Sequence, residues 1–182
     1  MGEIYASETY WGKSNASGSS YGGYQGDKVR LKQSQQRLNT IQKITGMTRG
    51  ELLDIGCASG FFMHVCKQQG FNVIGLDPSP QMAKWAEELY GVKVLCSTLE
   101  EIELPAAKYD LVTLWGTDSH FYDPAAGFRK IAGALKPGGY LAMNYQDFSH
   151  WIRRIFPGIK KSWNAIYNLT PQALRVIFDA AG

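Results

Sequence analysis

The chain lacks the features that mark membrane, secreted and metal-binding proteins. No apolar run in its 182 residues approaches the roughly 20 that a transmembrane helix needs, so we expect no membrane span. The N-terminus has no basic segment followed by an apolar core, so we expect no secretion signal. The cysteines Cys57, Cys66 and Cys96 have no metal-ligand spacing and are odd in number. We therefore expect reduced thiols, no bound metal and a cytoplasmic location.

Excess charge of one sign is also absent. The chain has 19 basic and 16 acidic side chains, a net charge of +3, which is too small to indicate a nucleic-acid partner. Its hydrophobic content of 45% is sufficient for an ordinary core, and its length suits one domain. We expect a globular protein that does not bind nucleic acid.

The most informative segment present is Glu51-Leu-Leu-Asp-Ile-Gly-Cys-Ala-Ser-Gly-Phe-Phe62, followed by Asn72-Val-Ile-Gly-Leu-Asp77. It predicts a strand, a glycine-bearing turn, a helix and a second strand that ends in an acid. Such a turn brings backbone N–H groups and a helix N-terminus close to a ligand, and the acid can accept hydrogen bonds from ribose hydroxyls. A Gly-x-x-x-Gly turn also occurs in α/β proteins that bind nothing, so the turn alone indicates a nucleoside site only weakly.

Strand and helix patterns alternate along the rest of the chain. Proline follows a capping residue at Ser79, Asp123 and Thr170, which marks three helix starts. Nearly continuous apolar strands that alternate with helices indicate a doubly wound, mostly parallel sheet. The predicted strands are 51–55, 72–76, 92–96, 109–115 and 139–145, and the predicted helices are 27–44, 60–69, 80–89, 124–135 and 171–181.

Four segments in order resemble a class I S-adenosylmethionine-dependent methyltransferase. Leu52-Leu-Asp-Ile-Gly-Cys-Ala-Ser-Gly60 resembles the first motif of that family, and Asp77 resembles its ribose-binding acid. Leu114-Trp-Gly-Thr-Asp-Ser-His-Phe-Tyr-Asp-Pro124 is similar to the fourth-strand segment of its bacterial small-molecule group. Leu135-Lys-Pro-Gly-Gly139 resembles the entry to its fifth strand. The resemblance extends from about residue 21 to the C-terminus.

The resemblance implies a Rossmann-like fold that here lacks the last two strands of the family. Residues 1–46 are expected to form an aromatic segment and a helix, and 47–182 a domain that binds S-adenosylmethionine and releases S-adenosylhomocysteine. Within it, 146–169 would be a substrate-side insert. The expected partner is a small-molecule acceptor, most readily a hydroxyl compound, and the expected state is a monomer or homodimer.

The resemblance also assigns site residues. Asp54 could meet the donor's ammonium or support the turn, and Met82 could pack on the adenine or belong to the core. Asp77 could bind the ribose or cap the turn that follows it. His120 is the candidate general base, with ordering of its loop as the alternative. The predicted cofactor-binding residues are Asp54, Gly56, Cys57, Ala58, Gly60, Asp77, Pro78, Met82, Thr98, Leu99, Trp115 and Gly116.

Other interpretations stay open at this point. A nicotinamide-dependent oxidoreductase would use a similar turn, and a non-catalytic domain could bind the cofactor for interaction only. The N-terminal aromatics Tyr10, Trp11, Tyr21 and Tyr24 are predicted to form a lid over the cofactor cleft, or else a free tail. The basic insert segment 151–163 fits either an anionic acceptor or an ordinary amphipathic helix.

Overall fold

The computed structural model of the protein describes residues 28–144 and 170–181. The predicted aromatic lid and the insert 146–169 lie outside these ranges. The described helices are α1 (Lys28–Thr45), α2 (Phe61–Gln68), α3 (Pro80–Tyr90), α4 (Pro124–Ala134) and α5 (Pro171–Ala181), with a short 3-10 helix at Asp118–His120. The described strands are β1 (Gly50–Ile55), β2 (Phe71–Leu76), β3 (Val94–Leu95), β4 (Tyr109–Trp115) and β5 (Leu135–Asn144).

The described strands form one parallel sheet in the order β3-β2-β1-β4-β5. The predicted doubly wound architecture is thus confirmed, with five strands in the described part of the chain. The strand order reverses between β1 and β4, where Asp54 lies beside Thr113. In open α/β sheets, ligands bind outside the carboxyl ends of the strands at such a reversal. The turn that begins at Gly56 lies at this point.

Side chains alternate across β1 and β4 and divide the core into two layers. Leu52 and Leu111 face α1 and α2, where they pack with Leu38 of α1. Val112 faces the opposite side and packs with Phe128 of α4. All five of these side chains are buried, because parallel strands are covered by helices on both faces. None of the described helices is long and apolar enough to cross a membrane.

Helix starts follow the capping signals in the sequence. The side chains of Ser79, Asp123 and Thr170 each accept a hydrogen bond from a backbone N–H three residues later, directly before a proline that opens the helix. The donors are the backbone N–H groups of Met82, Ala126 and Ala173, at N···O distances of 3.3, 3.0 and 3.1 Å. The three predicted starts of α3, α4 and α5 are therefore confirmed.

Two predicted strands have wrong bounds. β3 contains only Val94 and Leu95 rather than 92–96, because it pairs with β2 alone and its chain turns back at Ser97. β5 begins at Leu135 rather than 139, because Leu135 is already extended and pairs with Tyr109. The register between β4 and β5 then shifts, which accommodates the Lys-Pro-Gly segment as an irregularity within the strand.

Candidate active site

The turn between β1 and α2 has the left-handed backbone that its glycines predict. Gly56, Ala58 and Gly60 have φ values of +70°, +46° and +83°. The Gly56 N–H donates to the carbonyl of Leu76 at 2.7 Å, which ties the turn to the end of β2. A Cβ at Gly56 would collide with the side chain of Thr117. Glycine is thus required here by the protein's own packing as well as by any ligand.

Asp77 ties this turn to the loop after β2. Its Oδ2 accepts from the Ala58 N–H at 2.9 Å, and its Oδ1 accepts from the Ser79 N–H at 3.0 Å. The side chain is 5% exposed, and burial raises the pKa of the carboxyl although both N–H groups lower it. The capping role anticipated from the sequence is therefore present. Each carboxylate oxygen keeps a second lone pair, so the carboxylate can still accept a hydrogen bond from a ribose hydroxyl.

A small cleft, with a cavity volume of about 70 Å³, opens at the carboxyl ends of β1 to β4, beside this turn. Among the predicted site residues, Gly56, Pro78, Thr98, Leu99 and His120 line it. The other lining residues are Ile55, Leu76, Ser97, Glu100, Thr117, Phe121 and Tyr122. Sequence reasoning assigned no binding role to Phe121 or Tyr122, although their position directly after the fourth strand and His120 was the available signal.

The wall formed by the loop after β3 is fixed by one lysine of α4. The Lys130 Nζ donates to the carbonyls of Leu99, Glu100 and Ile102 at 2.8, 3.0 and 2.9 Å. Glu100 in turn accepts from the Tyr122 N–H through Oε1 at 3.0 Å. The loops after β3 and β4 are thereby joined across the cleft. No spacing in the sequence identifies Lys130.

His120 lies at the end of the 3-10 helix and faces the cleft. Its backbone N–H donates to the Thr117 carbonyl at 2.9 Å, so the short helix fixes its position. Burial lowers the pKa of its imidazole from the ordinary value of 6.5, so the side chain is neutral at pH 7. A neutral imidazole can accept a proton, which is what a general base requires.

Asp54 and Trp115 lie on the sheet face that α1 covers. Asp54 is 1% exposed, and its Oδ1 accepts from the Thr113 hydroxyl at 2.7 Å. Burial raises the pKa of Asp54 to about 7. The Trp115 ring packs edge-on against Phe62, with centroids 5.0 Å apart, and the Arg37 guanidinium lies 4.5 Å from its centroid. Trp115 lines a groove along α1 and does not border the cleft that contains His120.

The remaining predicted site residues do not line the cleft that contains His120. Met82 is wholly buried, as the core alternative expects. Cys57 is 7% exposed, and burial raises the pKa of its thiol. A Cβ at Gly60 would lie 2.9 Å from the Val92 side chain and 3.2 Å from the Cβ of Ala86 in α3, so this glycine allows α2 to approach α3 and the segment after it. Gly116 is exposed and has a φ of +79°, which turns the chain after β4.

The strand order, the left-handed glycine turn and the acid after β2 together define a Rossmann-like methyltransferase fold of class I. A family model described as a methyltransferase domain matches residues 29–182. The chain therefore belongs to this family of S-adenosylmethionine-dependent methyltransferases. This membership favours the methyltransferase interpretation over the nicotinamide oxidoreductase.

Relatives and solved structures agree with this membership. The ubiquinone biosynthesis O-methyltransferase of Leptothrix cholodnii is 30% identical over 117 residues, which cover 59% of this chain and 49% of that protein. Its counterpart in Bordetella avium is 34% identical over 113 residues, or 58% of this chain and 46% of that protein. The chain thus spans about half the length of these relatives. A Thermotoga maritima methyltransferase structure, described as a possible histamine N-methyltransferase, shares the fold with a TM-score of 0.66 and 24% identity, over 84% of this chain and 70% of that one.

Proposed function

We propose that this chain is the donor-binding, catalytic part of an S-adenosylmethionine-dependent methyltransferase that methylates a hydroxyl of a small molecule. The observation that carries the proposal is the link between Asp77 and the Ala58 N–H, at the edge of a cleft at the sheet's reversal point. The hydroxyl acceptor is supported by the relatives in Leptothrix cholodnii and Bordetella avium, which are named O-methyltransferases.

Different residues of the cleft would bind different parts of the donor. Asp77 would accept hydrogen bonds from the ribose hydroxyls, since its oxygens lie at the end of β2 and each retains a lone pair. Thr98 and Leu99, held by Lys130, would flank the adenine. Gly56, which lines the cleft, would lie beside the part of the donor that follows the ribose. When bound, S-adenosylmethionine supplies a methyl group activated by its positive sulfur.

His120 would remove the proton from the acceptor hydroxyl as the oxygen attacks. Its imidazole faces the cleft and is neutral at pH 7 because burial lowers its pKa. General base catalysis of this kind typically contributes about 10²- to 10⁴-fold in rate. The rest of the acceleration would come from alignment of the two reactants in the cleft.

Binding is tested by calorimetry with S-adenosylmethionine, S-adenosylhomocysteine and NAD. We expect the first two to bind and NAD not to bind. Asp77→Ala should weaken the binding of S-adenosylhomocysteine. Two hydrogen bonds to a charged acceptor are lost in this variant, each worth about 1.5–3 kcal/mol. Asp179→Ala in α5 is the matched control and should bind as the wild type does. An unchanged affinity in a folded Asp77→Ala protein would remove the ribose assignment.

Acceptor chemistry is tested by transfer of a labelled methyl group to caffeate, a catechol, and to histamine, an amine. We expect transfer to the catechol and about 10²- to 10⁴-fold slower transfer in His120→Gln. Donor affinity should not change in that variant. Transfer to histamine alone would contradict the hydroxyl assignment, and full catechol turnover in His120→Gln would leave His120 a structural role.

A further inference from the structure

The cleft beside the glycine turn is too small for the nucleoside proposed to bind there. Its cavity volume is about 70 Å³. Clefts that hold small-molecule ligands usually measure about 300–1,000 Å³. Residues 97–100 of the loop after β3 form one wall of the cleft, and residues 120–122 of the loop after β4 form another. These two walls must therefore separate before a nucleoside can enter.

The inner parts of both walls are fixed against α4. Leu99 and Phe121 are 4% and 3% exposed, and they belong to the same buried cluster as Phe128 of α4. A Cβ at Gly127 would lie 2.9 Å from the Phe121 ring and 3.5 Å from the Leu99 side chain, so both walls pack closely on this part of α4. Lys130 adds its three contacts to the loop after β3. Separation at this end would expose apolar surface to water, which is unfavourable.

The outer parts of the walls are joined by an exposed hydrogen bond. Glu100 and Tyr122 follow the buried Leu99 and Phe121, and both are exposed. The Oε1 of Glu100 accepts from the Tyr122 N–H at 3.0 Å, which links the two loops at the solvent side of the cleft. An exposed hydrogen bond opens at little cost, because water replaces each partner. The cleft can therefore widen at this side while its inner side stays packed.

We propose that the hydrogen bond between Glu100 and the Tyr122 N–H is an autoinhibitory clasp, which closes the cleft and must break before the nucleoside enters. This inference rests on the proposed function. A protein of which only a fraction is open binds its ligand more weakly by that fraction. Glu100 therefore lowers the affinity for the donor, although it lines the cleft in which the nucleoside binds. Removal of its carboxylate should strengthen binding, which is the opposite of what removal of a ligand contact does.

The test measures how fast S-adenosylhomocysteine and adenosine, which is the nucleoside alone, bind to and leave the immobilised chain in surface plasmon resonance. Glu100→Ala should raise the association rate of both ligands about 2- to 10-fold and leave the dissociation rate unchanged, so both bind more tightly by the same factor. Glu100→Gln keeps an acceptor oxygen without the charge and should give a smaller increase. Glu101→Ala removes the neighbouring exposed carboxylate and is the matched control, with wild-type rates expected.

A second variant breaks the clasp from its other side. Tyr122→Pro removes the donor N–H, and the preceding Phe121, with φ −68° and ψ 136°, already has the extended backbone that a residue before proline adopts. Tyr122→Ala keeps the N–H and is the reference for this variant. The association rates should be about 2- to 10-fold higher in Tyr122→Pro than in Tyr122→Ala. Addition of Glu100→Ala to Tyr122→Pro should give no further increase, because both changes remove the same bond.

The outcomes separate the clasp from the proposed function. If neither the wild type nor Glu100→Ala binds either ligand, the proposed function is contradicted and the clasp with it. If the wild type binds both ligands and Glu100→Ala has the same association rates, the proposed function stands and the clasp is overturned. Faster dissociation and weaker binding in Glu100→Ala would overturn it as well, since Glu100 would then hold the ligand. An equal increase in Glu101→Ala would assign the effect to charge rather than to the hydrogen bond.

Discussion

Ala58 occupies a backbone conformation that favours glycine. Its φ of +46° is one of two positive values among the described residues other than glycine, and its N–H must point at Asp77. A left-handed L-residue costs roughly 1–2 kcal/mol through the contact of its Cβ with the following carbonyl. The link between the turn and β2 is therefore formed at a cost in stability.

Ala58→Gly should raise the free energy of unfolding by up to about 1 kcal/mol. Relief of the left-handed strain exceeds the extra entropy that glycine gives the unfolded chain, which is about 0.4–1 kcal/mol. Urea denaturation of both proteins measures the difference. Ala83→Gly, at a helical position in α3, is the control and should destabilise. A less stable Ala58→Gly protein would show that Ala58 is not strained.

The buried carboxyl of Asp54 should make stability depend on pH. Its pKa is about 7 in the folded protein, raised from 3.8 mainly by burial, so the native state holds a proton that the unfolded chain has lost between these values. The contribution of this carboxyl to the free energy of unfolding is therefore fully present below pH 4, falls as the pH rises, and is lost above pH 7. Asp54→Asn should gain up to about 4 kcal/mol relative to the wild type between pH 4 and 8.

Urea unfolding of wild-type and Asp54→Asn proteins at several pH values measures that relative gain. Asp123→Asn is a suitable control, since its side chain is exposed and caps α4. A stability difference between wild type and Asp54→Asn that stays constant from pH 4 to 8 would contradict the raised pKa.

At the scale of elements, the loop 97–102 depends on a contact from a distant helix. Lys130 approaches three carbonyls of this loop within 3.0 Å. Loss of the ammonium would leave those carbonyls without a charged partner, and bonds of this kind contribute about 1.5–3 kcal/mol when one group is charged. The position of the cleft wall that includes Thr98 and Leu99 thus depends on α4 as much as on β3.

Lys130→Met should loosen this loop without unfolding the protein. We expect faster amide hydrogen exchange over 97–102 and about 3- to 30-fold weaker S-adenosylhomocysteine binding, since part of the ordering free energy must come from the ligand. Arg129→Met changes the exposed neighbour on the same helix and should alter neither measurement. Unchanged exchange in Lys130→Met would show that the loop holds its position by other means.

Local signals in the sequence predicted most of these elements. The capping residues Ser79, Asp123 and Thr170 located helix starts, because a cap and a following proline act within a few residues. The start of β5 was missed, because only its pairing with Tyr109 reveals that Leu135 is extended. Lys130 was missed for the same reason. Its role arises from contacts with residues distant in sequence, which no motif spacing records.

At the scale of the molecule, the candidate site draws on loops after four strands and on both helical layers. The turn after β1 and the acid after β2 were predictable, because the residues of a short motif themselves determine the local structure. The aromatic contacts from Phe121 through Phe128 of α4 to Phe178 connect the cleft to α5, and no motif in the sequence indicates them. A ligand in the cleft would therefore stabilise elements far apart in the sequence.

S-adenosylhomocysteine should accordingly raise the unfolding temperature of the whole chain. A ligand at 100 times its dissociation constant stabilises the native state by about 2.7 kcal/mol. In a domain of this size each kcal/mol shifts the unfolding temperature by about 2–4 °C, so we expect an increase of about 5–10 °C. Calorimetric scans at several ligand concentrations measure it, with NAD as the control that should produce no shift. Asp77→Asn should reduce the shift, because the amide replaces one acceptor oxygen with a donor. An equal shift with NAD, or none with S-adenosylhomocysteine, would contradict donor binding in this cleft.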